Sequence, residues 1–381
     1  MTVLRLVGAL TLALTLATSA TSATTAEETA PSPLMEALAF VPEASDPTSL
    51  QFVDWAQLKD LHGGAGITSA SPLAERQRLM LDIVRAEAAP MPLGIDRLAA
   101  WPDAWGWDST DLDWEARVFG EIAVLRFGEH WDVQPFRDAL TGFGYEARHF
   151  DGGVAYQPDP DAEVPSQLRF ANMHGLDIHG REITEPMVRV AISDDGRTVV
   201  LGRADGVGRS LRVRLKADPA RVEASGFGRA AVALGRPVTA SVLDGYSACS
   251  EHMNAWLIGE ALEVAALVAP LHRYEALAAG YTRADATAPP DGRYVFAYPS
   301  SRQARDHLAG RRTLVEEGYP FNDSASRYED VAFSLADARV AGSRLILDVA
   351  PIGGAPVHVL RHVGISPILF ATCGSVPDQP A

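Results

Sequence analysis

Residues 293–318 read RYVFAYPSSRQARDHLAGRRTLVEEG. The opening RYVFAYP is rich in aromatic and β-branched residues and predicts a strand. Ser300 and Ser301 then offer a helix cap, Ala304, Leu308, Leu314 and Val315 recur close to a 3.6-residue period, and Gly318 supplies a stop. A strand running straight into an amphipathic helix is the first half of a β-α-β unit. Downstream, YEDVAFSL (328–335), SRLILDV (343–349), a short VHVLRHV segment (357–363) and ILFATC (368–373) continue the pattern.

The same order occurs upstream. EIAVLRF (121–127) predicts a strand and 133–143 a helix, and Gly144 and Tyr145 lead to a strand ending in GVAYQ (153–157). MVRVAIS (187–193) and RTVVLGR (197–203) are joined by Asp194, Asp195 and Gly196, a hairpin turn. A helix over 219–234 and the strand PVTASVL (237–243) complete the block. The expected fold is α+β, with two ferredoxin-like (β-α-β-β-α-β) halves at 121–245 and 246–381, antiparallel sheets with helices on one face. Residues 34–120 are expected to be mainly helical. Their best helix spans 72–88 after Ser71, with Leu73, Leu79, Ile83 and Val84 near one face, and Phe52, Val53 and Trp55 make a strand-like run.

Three passages carry a resemblance: LRFGEHWDVQPFRDALTGFGYEARHFDGGVAY (125–156), GWDSTDLDWE (106–115) and YPSSRQARDHLAGRRTLVEEG (298–318). They resemble a family of exported bacterial proteins and lipoproteins that has no established activity. The shared motifs are turns, helix caps and strand ends, so the resemblance implies a fold and brings no site.

At the amino terminus Arg5 precedes the apolar stretch Leu6 to Leu16 and the small-residue run 17–23. This is the layout of a cleavable export signal, expected to span 1–23, followed by a flexible arm at 24–33. No cysteine follows the apolar core, so no lipid anchor is expected there, and no later segment is apolar enough to span a membrane. The expected location is secreted, on the extracellular or cell-envelope side.

The chain carries 33 basic and 49 acidic residues, a net charge of −16. That balance repels polyanions, and nucleic acid is not an expected partner. Cys249 and Cys373 are the two cysteines. In an oxidising compartment a lone pair reads as a disulfide, with two buried thiols as the alternative.

Chemistry-bearing residues are sparse. His174, Asp177 and His179 supply ligand types that a transition metal accepts, but H-x-x-D-x-H is not a zinc spacing, so no metal is expected and these residues read better as solvated positions on a glycine-bearing connection. Asp108, Asp111, Asp113 and Glu115 read better as a capped helix start than as a calcium loop, which needs a glycine at its sixth position. Ser247, Cys249 and His252 lack the glycine of a nucleophile elbow. Gly226-Phe227-Gly228 is a weak dinucleotide fingerprint inside a helical stretch, and no cofactor is expected. Trp101, Trp105, Trp107 and Trp114 are expected in the core. Together these readings favour a non-enzymatic binding or structural role with an unknown ligand or protein partner. The runner-up is a secreted hydrolase or metal-dependent enzyme.

Overall fold

A computed structural model describes residues 32–41, 49–87, 98–118, 122–158, 189–202, 219–245, 248–249, 268–319, 326–364 and 369–374. In chain order the elements are α1 (Pro33–Leu38), β1 (Ser49–Asp54), α2 (Trp55–Leu61), α3 (Leu73–Glu87), α4 (Trp101–Trp105), β2 (Leu112–Val118) and β3 (Ile122–Phe127). Then come α5 (Gln134–Gly142), β4 (Tyr145–Phe150), β5 (Gly153–Pro158), β6 (Arg189–Ser193), β7 (Thr198–Gly202), α6 (Pro219–Ala224), α7 (Gly226–Leu234) and β8 (Thr239–Asp244). The remainder is β9 (Ala276–Thr282), β10 (Asp291–Ala297), α8 (Ser301–Glu316), α9 (Tyr328–Val331), β11 (Phe333–Ala341), β12 (Arg344–Pro351) and α10 (Val357–Gly364).

Among the described residues twelve strands form one antiparallel sheet in the order β11-β12-β10-β9-β8-β1-β2-β3-β7-β6-β5-β4. From the central strand β1 the chain steps outward through β2 and β3, crosses by α5 to the far edge, and returns through β5, β6 and β7 to pair with β3. On the other side it steps from β8 through β9 to β10, crosses by α8 to the opposite edge at β11, and returns as β12 beside β10. Both sides meet where β1 pairs antiparallel with β8, Ser49 facing Leu243.

Alternation of side chains gives the sheet two apolar faces. Tyr294 and Phe296 of β10 point to one face, Val295 and Ala297 to the other. A helical layer covers the first face. Leu58, Met80, Ile83, Trp105 and Phe136 from α2 to α5 pack there on Leu125, Phe127, Val190 and Val199. Ala304, Leu314 and Val315 of α8 pack on Tyr294, Phe296, Leu345 and Leu347 of the same face. On the middle of the opposite face α1 and α7 set Leu34, Leu38, Ala230 and Leu234 against Leu50, Phe52, Val242 and Ala278. Each large side chain so buried contributes about 1.5–3 kcal/mol before ordering costs. Local signals fix the helix starts: the hydroxyls of Ser32, Ser225 and Ser300 accept the amides of Met35, Gly228 and Gln303.

Several expectations are corrected. The two halves share one continuous sheet across residue 245 instead of building two. Beside helices α2 to α4, residues 34–120 supply β1 and β2, next to each other near the middle of the sheet, and the strand-like run at Phe52 and Val53 lies in β1. ILFATC does not close the second block as a strand: Leu369–Ala371 is one 3-10 turn, and Phe370 and Ala371 pack beneath the sheet. The place beside β10 is filled by β9, whose ALAAGYT sequence carries little strand signal. VHVLRHV is helix α10, and 328–331 is the helical turn α9 leading into β11. Among the described residues no helix is long and apolar enough to cross a membrane.

Candidate functional site

Helix α3 carries two charges on its buried stripe. Arg76, Met80, Ile83 and Glu87 follow one another at spacings of three and four, and all are buried. The spacing sends Arg76 and Glu87 inward with the apolar residues, and each organises a polar node under the helical layer.

At the carboxyl end of α3, Glu87 is fully buried among three donors. Its Oε1 lies 2.6 Å from Arg283 Nη1 and 3.0 Å from His62 Nε2, while Tyr281 Oη lies 3.1 Å from Oε2. Arg283 also reaches the Gly354 carbonyl at 3.4 Å. Burial, reinforced by the neighbouring Glu87 charge, pushes the Tyr281 phenol far above its ordinary range. His62 follows α2 and Tyr281 lies on β9, so this node fastens elements from the two sides of the sheet.

At the amino end, Arg76 pairs with Asp108 and donates to the carbonyls of Leu98 (2.7 Å) and Ser71 (2.9 Å). Asp108 Oδ1 accepts the Thr110 amide and hydroxyl at 2.8 and 2.5 Å. Asp111 accepts the amides of Asp108 (3.1 Å) and Ser69 (3.0 Å), and Lys59 donates to the Thr110 carbonyl at 2.7 Å. The acidic run is thus a buried reciprocal cap around the 3-10 turn Ser109–Asp111. Burial raises the Asp108 carboxyl and lowers the Lys59 ammonium. Four carboxylate oxygens that a calcium ion would need already accept protein N–H or O–H donors.

A third node lies beneath the other half of the sheet. Cys249 and Cys373 are joined by a disulfide with Cα atoms 5.2 Å apart, so Cys249 is no thiolate nucleophile in this state. The fully buried Arg311 donates to the Phe370 carbonyl at 2.6 Å and to the Thr372 carbonyl. Its guanidinium also sits over the rings of Phe296 and Tyr274, 4.9 and 5.3 Å from their centroids. Tyr274 Oη donates to the Ala371 carbonyl at 2.8 Å. These contacts hold the 369–374 segment under the sheet.

One turn earlier on α8, His307 stacks on Tyr298 and touches the ring of His272. Burial, with Arg311 and His272 nearby, pulls its imidazole down to about 4. The folded protein therefore binds no proton there between pH 6.5 and 4, whereas the unfolded chain does. Stability attributable to this group is complete above about pH 6.5 and is lost as the pH falls toward 4, with a slope approaching about 1.4 kcal/mol per unit. Urea midpoints at pH 7 and 4.5 are expected to differ less for His307→Phe than for the wild type. Equal differences would show that His307 does not set the slope.

The remaining candidates separate. His174, Asp177, His179, Ser247 and His252 lie outside the described residues. Gly226-Phe227-Gly228 opens α7 after α6, not after a buried strand, and a side chain at Gly228 would collide with the Val222 carbonyl. That glycine is explained by helix packing. Trp101, Trp105 and Trp107 are buried together under the helical layer, while Trp114 is buried on the opposite face against Phe40 and Phe52. Among the described residues no group of three or more His, Cys, Asp or Glu is placed to hold a metal ion.

The Glu87 node was not legible as a site. The signal that could have found it is the stripe itself, where two opposite charges occupy positions that the 3.6-residue period assigns to the core.

No protein-family model matches the chain, and no curated protein matches it. The backbone has a weak likeness to a solved structure titled "Structure of crystal form I of TP0453", at 10% identity and a TM-score of 0.33 over 87% of this chain and 96% of that chain. A likeness at that level carries no argument about fold or function, so the reading of this chain rests on its own residues.

Proposed function

We propose that this is an exported, non-enzymatic protein with a binding or structural role. The observation that carries the reading is the use made of its buried ionisable side chains. Glu87, Asp108, Asp111, Arg76 and Arg311 are each engaged by several protein groups, as fasteners between elements. A catalytic carboxylate needs an open lobe facing a substrate, and these have their lobes filled. Export is supported by the leader-like first 23 residues and by the disulfide, which persists in oxidising compartments. No nucleic acid is expected as a partner of so acidic a chain.

We read the two sides of the sheet as related units. Each begins with a central strand (β1 or β8), adds an outward pair (β2-β3 or β9-β10), and crosses by one helix (α5 or α8) to return antiparallel beside the last of them. β10, α8 and β11 with β12 between the strands form the split β-α-β arrangement of a ferredoxin-like half. The first unit so read opens at Ser49 and the second at Thr239, upstream of the limits at residues 121 and 246 expected from the sequence.

The test is made on protein purified from a secretion host. Elemental analysis and native mass spectrometry are expected to find no stoichiometric metal, and a panel of ester, peptide and glycoside substrates no turnover. One metal per chain that disappears in His174→Ala or His179→Ala would replace this reading with the metal-dependent enzyme. Turnover abolished by Ser247→Ala or His252→Ala would replace it with the hydrolase.

A further inference from the structure

We infer that the β4 edge of the sheet pairs with β4 of a second copy of this chain, continuing the sheet across a two-fold axis. The two ends of the sheet differ in how they meet solvent. At one end β11 is interrupted by a bulge between Leu335 and Asp337, a device that spoils an edge for pairing. At the other end β4 runs in unbroken register against β5, from Tyr145 facing Pro158 to Phe150 facing Gly153. Glu146, Ala147, Arg148 and His149 are all exposed, and the strand contains no proline, glycine or bulge.

Its sequence, YEARHF, is self-complementary in charge when laid antiparallel on itself. Directly opposed residues of an antiparallel pair share a face and interact. With the axis at Ala147, Glu146 of each copy faces Arg148 of the other, giving two opposite-charge pairs on one face. Tyr145 then faces His149 of the second copy on the other face. Moving the axis to residue 146 or 148 sets Glu against Glu or Arg against Arg, so the charges select one register. Within one chain Glu146 and Arg148 are 3.8 Å apart on the same face, so both are already oriented for the pairing. The chain as a whole carries −16, which opposes self-association, whereas Glu146 and Arg148 balance each other at this edge. The inference stands apart from the functional reading above, because an enzyme could use the same edge.

Sedimentation velocity of the full chain over a concentration series tests it. The wild type is expected to reach twice the chain mass. Glu146→Arg or Arg148→Glu places like charges opposite each other twice and is expected to weaken association about tenfold or more. The double exchange Glu146→Arg with Arg148→Glu restores the pairs and the dimer, and Ala147→Pro abolishes it. Thermal melts verify that these exposed changes leave the fold intact. A wild type that stays monomeric at every concentration overturns the proposal. A dimer indifferent to both single reversals overturns it equally.

Discussion

Replacing Glu87 with alanine is expected to destabilise the fold by about 3–5 kcal/mol, the cost of breaking a buried charge pair from one side. The variant leaves Arg283 and His62 beside an emptied, nearly dry site and removes one of the two acceptors of Tyr281, the residue 87 carbonyl at 3.1 Å remaining. Glu87→Gln keeps an acceptor for some of these donors and is expected to lose less, about 1–3 kcal/mol. The double variant Glu87→Leu with Arg283→Met removes both charges, and part of the loss is expected to return, because two apolar groups of similar volume leave no buried charge unpaired. Urea unfolding of the four proteins checks the order. A midpoint for Glu87→Ala within about 1 kcal/mol of wild type would mean that this node does not hold the two sides together.

Removing the disulfide by Cys249→Ser with Cys373→Ser is the second large effect. The bridge spans 124 residues, and the chain-entropy model gives about 4–5 kcal/mol for a loop of that length. Loss of the bridge also loosens the 369–374 segment, whose carbonyls satisfy Arg311. Arg311→Met alone removes the guanidinium's bonds to those carbonyls and is expected to cost about 2–4 kcal/mol. The two changes share one segment, so their effects are expected to combine to less than their sum. Melting with and without reductant checks the first claim. An unchanged melting temperature in fully reduced protein would remove the bridge from the account of stability.

The local part of the fold was legible. Helix α8 is announced by Ser300 and by the period of Ala304, Leu314 and Val315, and the hairpin at 194–196 by Gly196, which adopts a φ of 70°. What a local pattern cannot carry is long-range pairing. That β1 lies against β8, and that two expected sheets are one, depends on strands far apart in sequence. β9 was missed because alanine and glycine give little strand signal, and ILFATC misled because a short apolar run fits a buried strand and a buried turn equally. Tyr145 to Pro158 reads as one strand until Gly152 is recognised as a turn, with a φ of 97°. Of the polar nodes, the Asp108 cap and the cysteine pairing were readable from residue types at short spacing or by count. The Glu87 node was not, since its members come from three distant segments and are joined only by the packing.

The pairing of β1 with β8 also sets an order in time. A chain that emerges from its amino terminus presents β1 long before β8 exists, and β2 can protect only one side of it. Until residues 239–244 arrive, the other side of β1 is a bare template in the middle of what will become the sheet. Pairings so distant in sequence close slowly, and an unprotected edge in the meantime invites misassembly. A chaperone that holds the nascent chain open would find its most vulnerable target at residues 49–54, whose role ends when the last central strand docks.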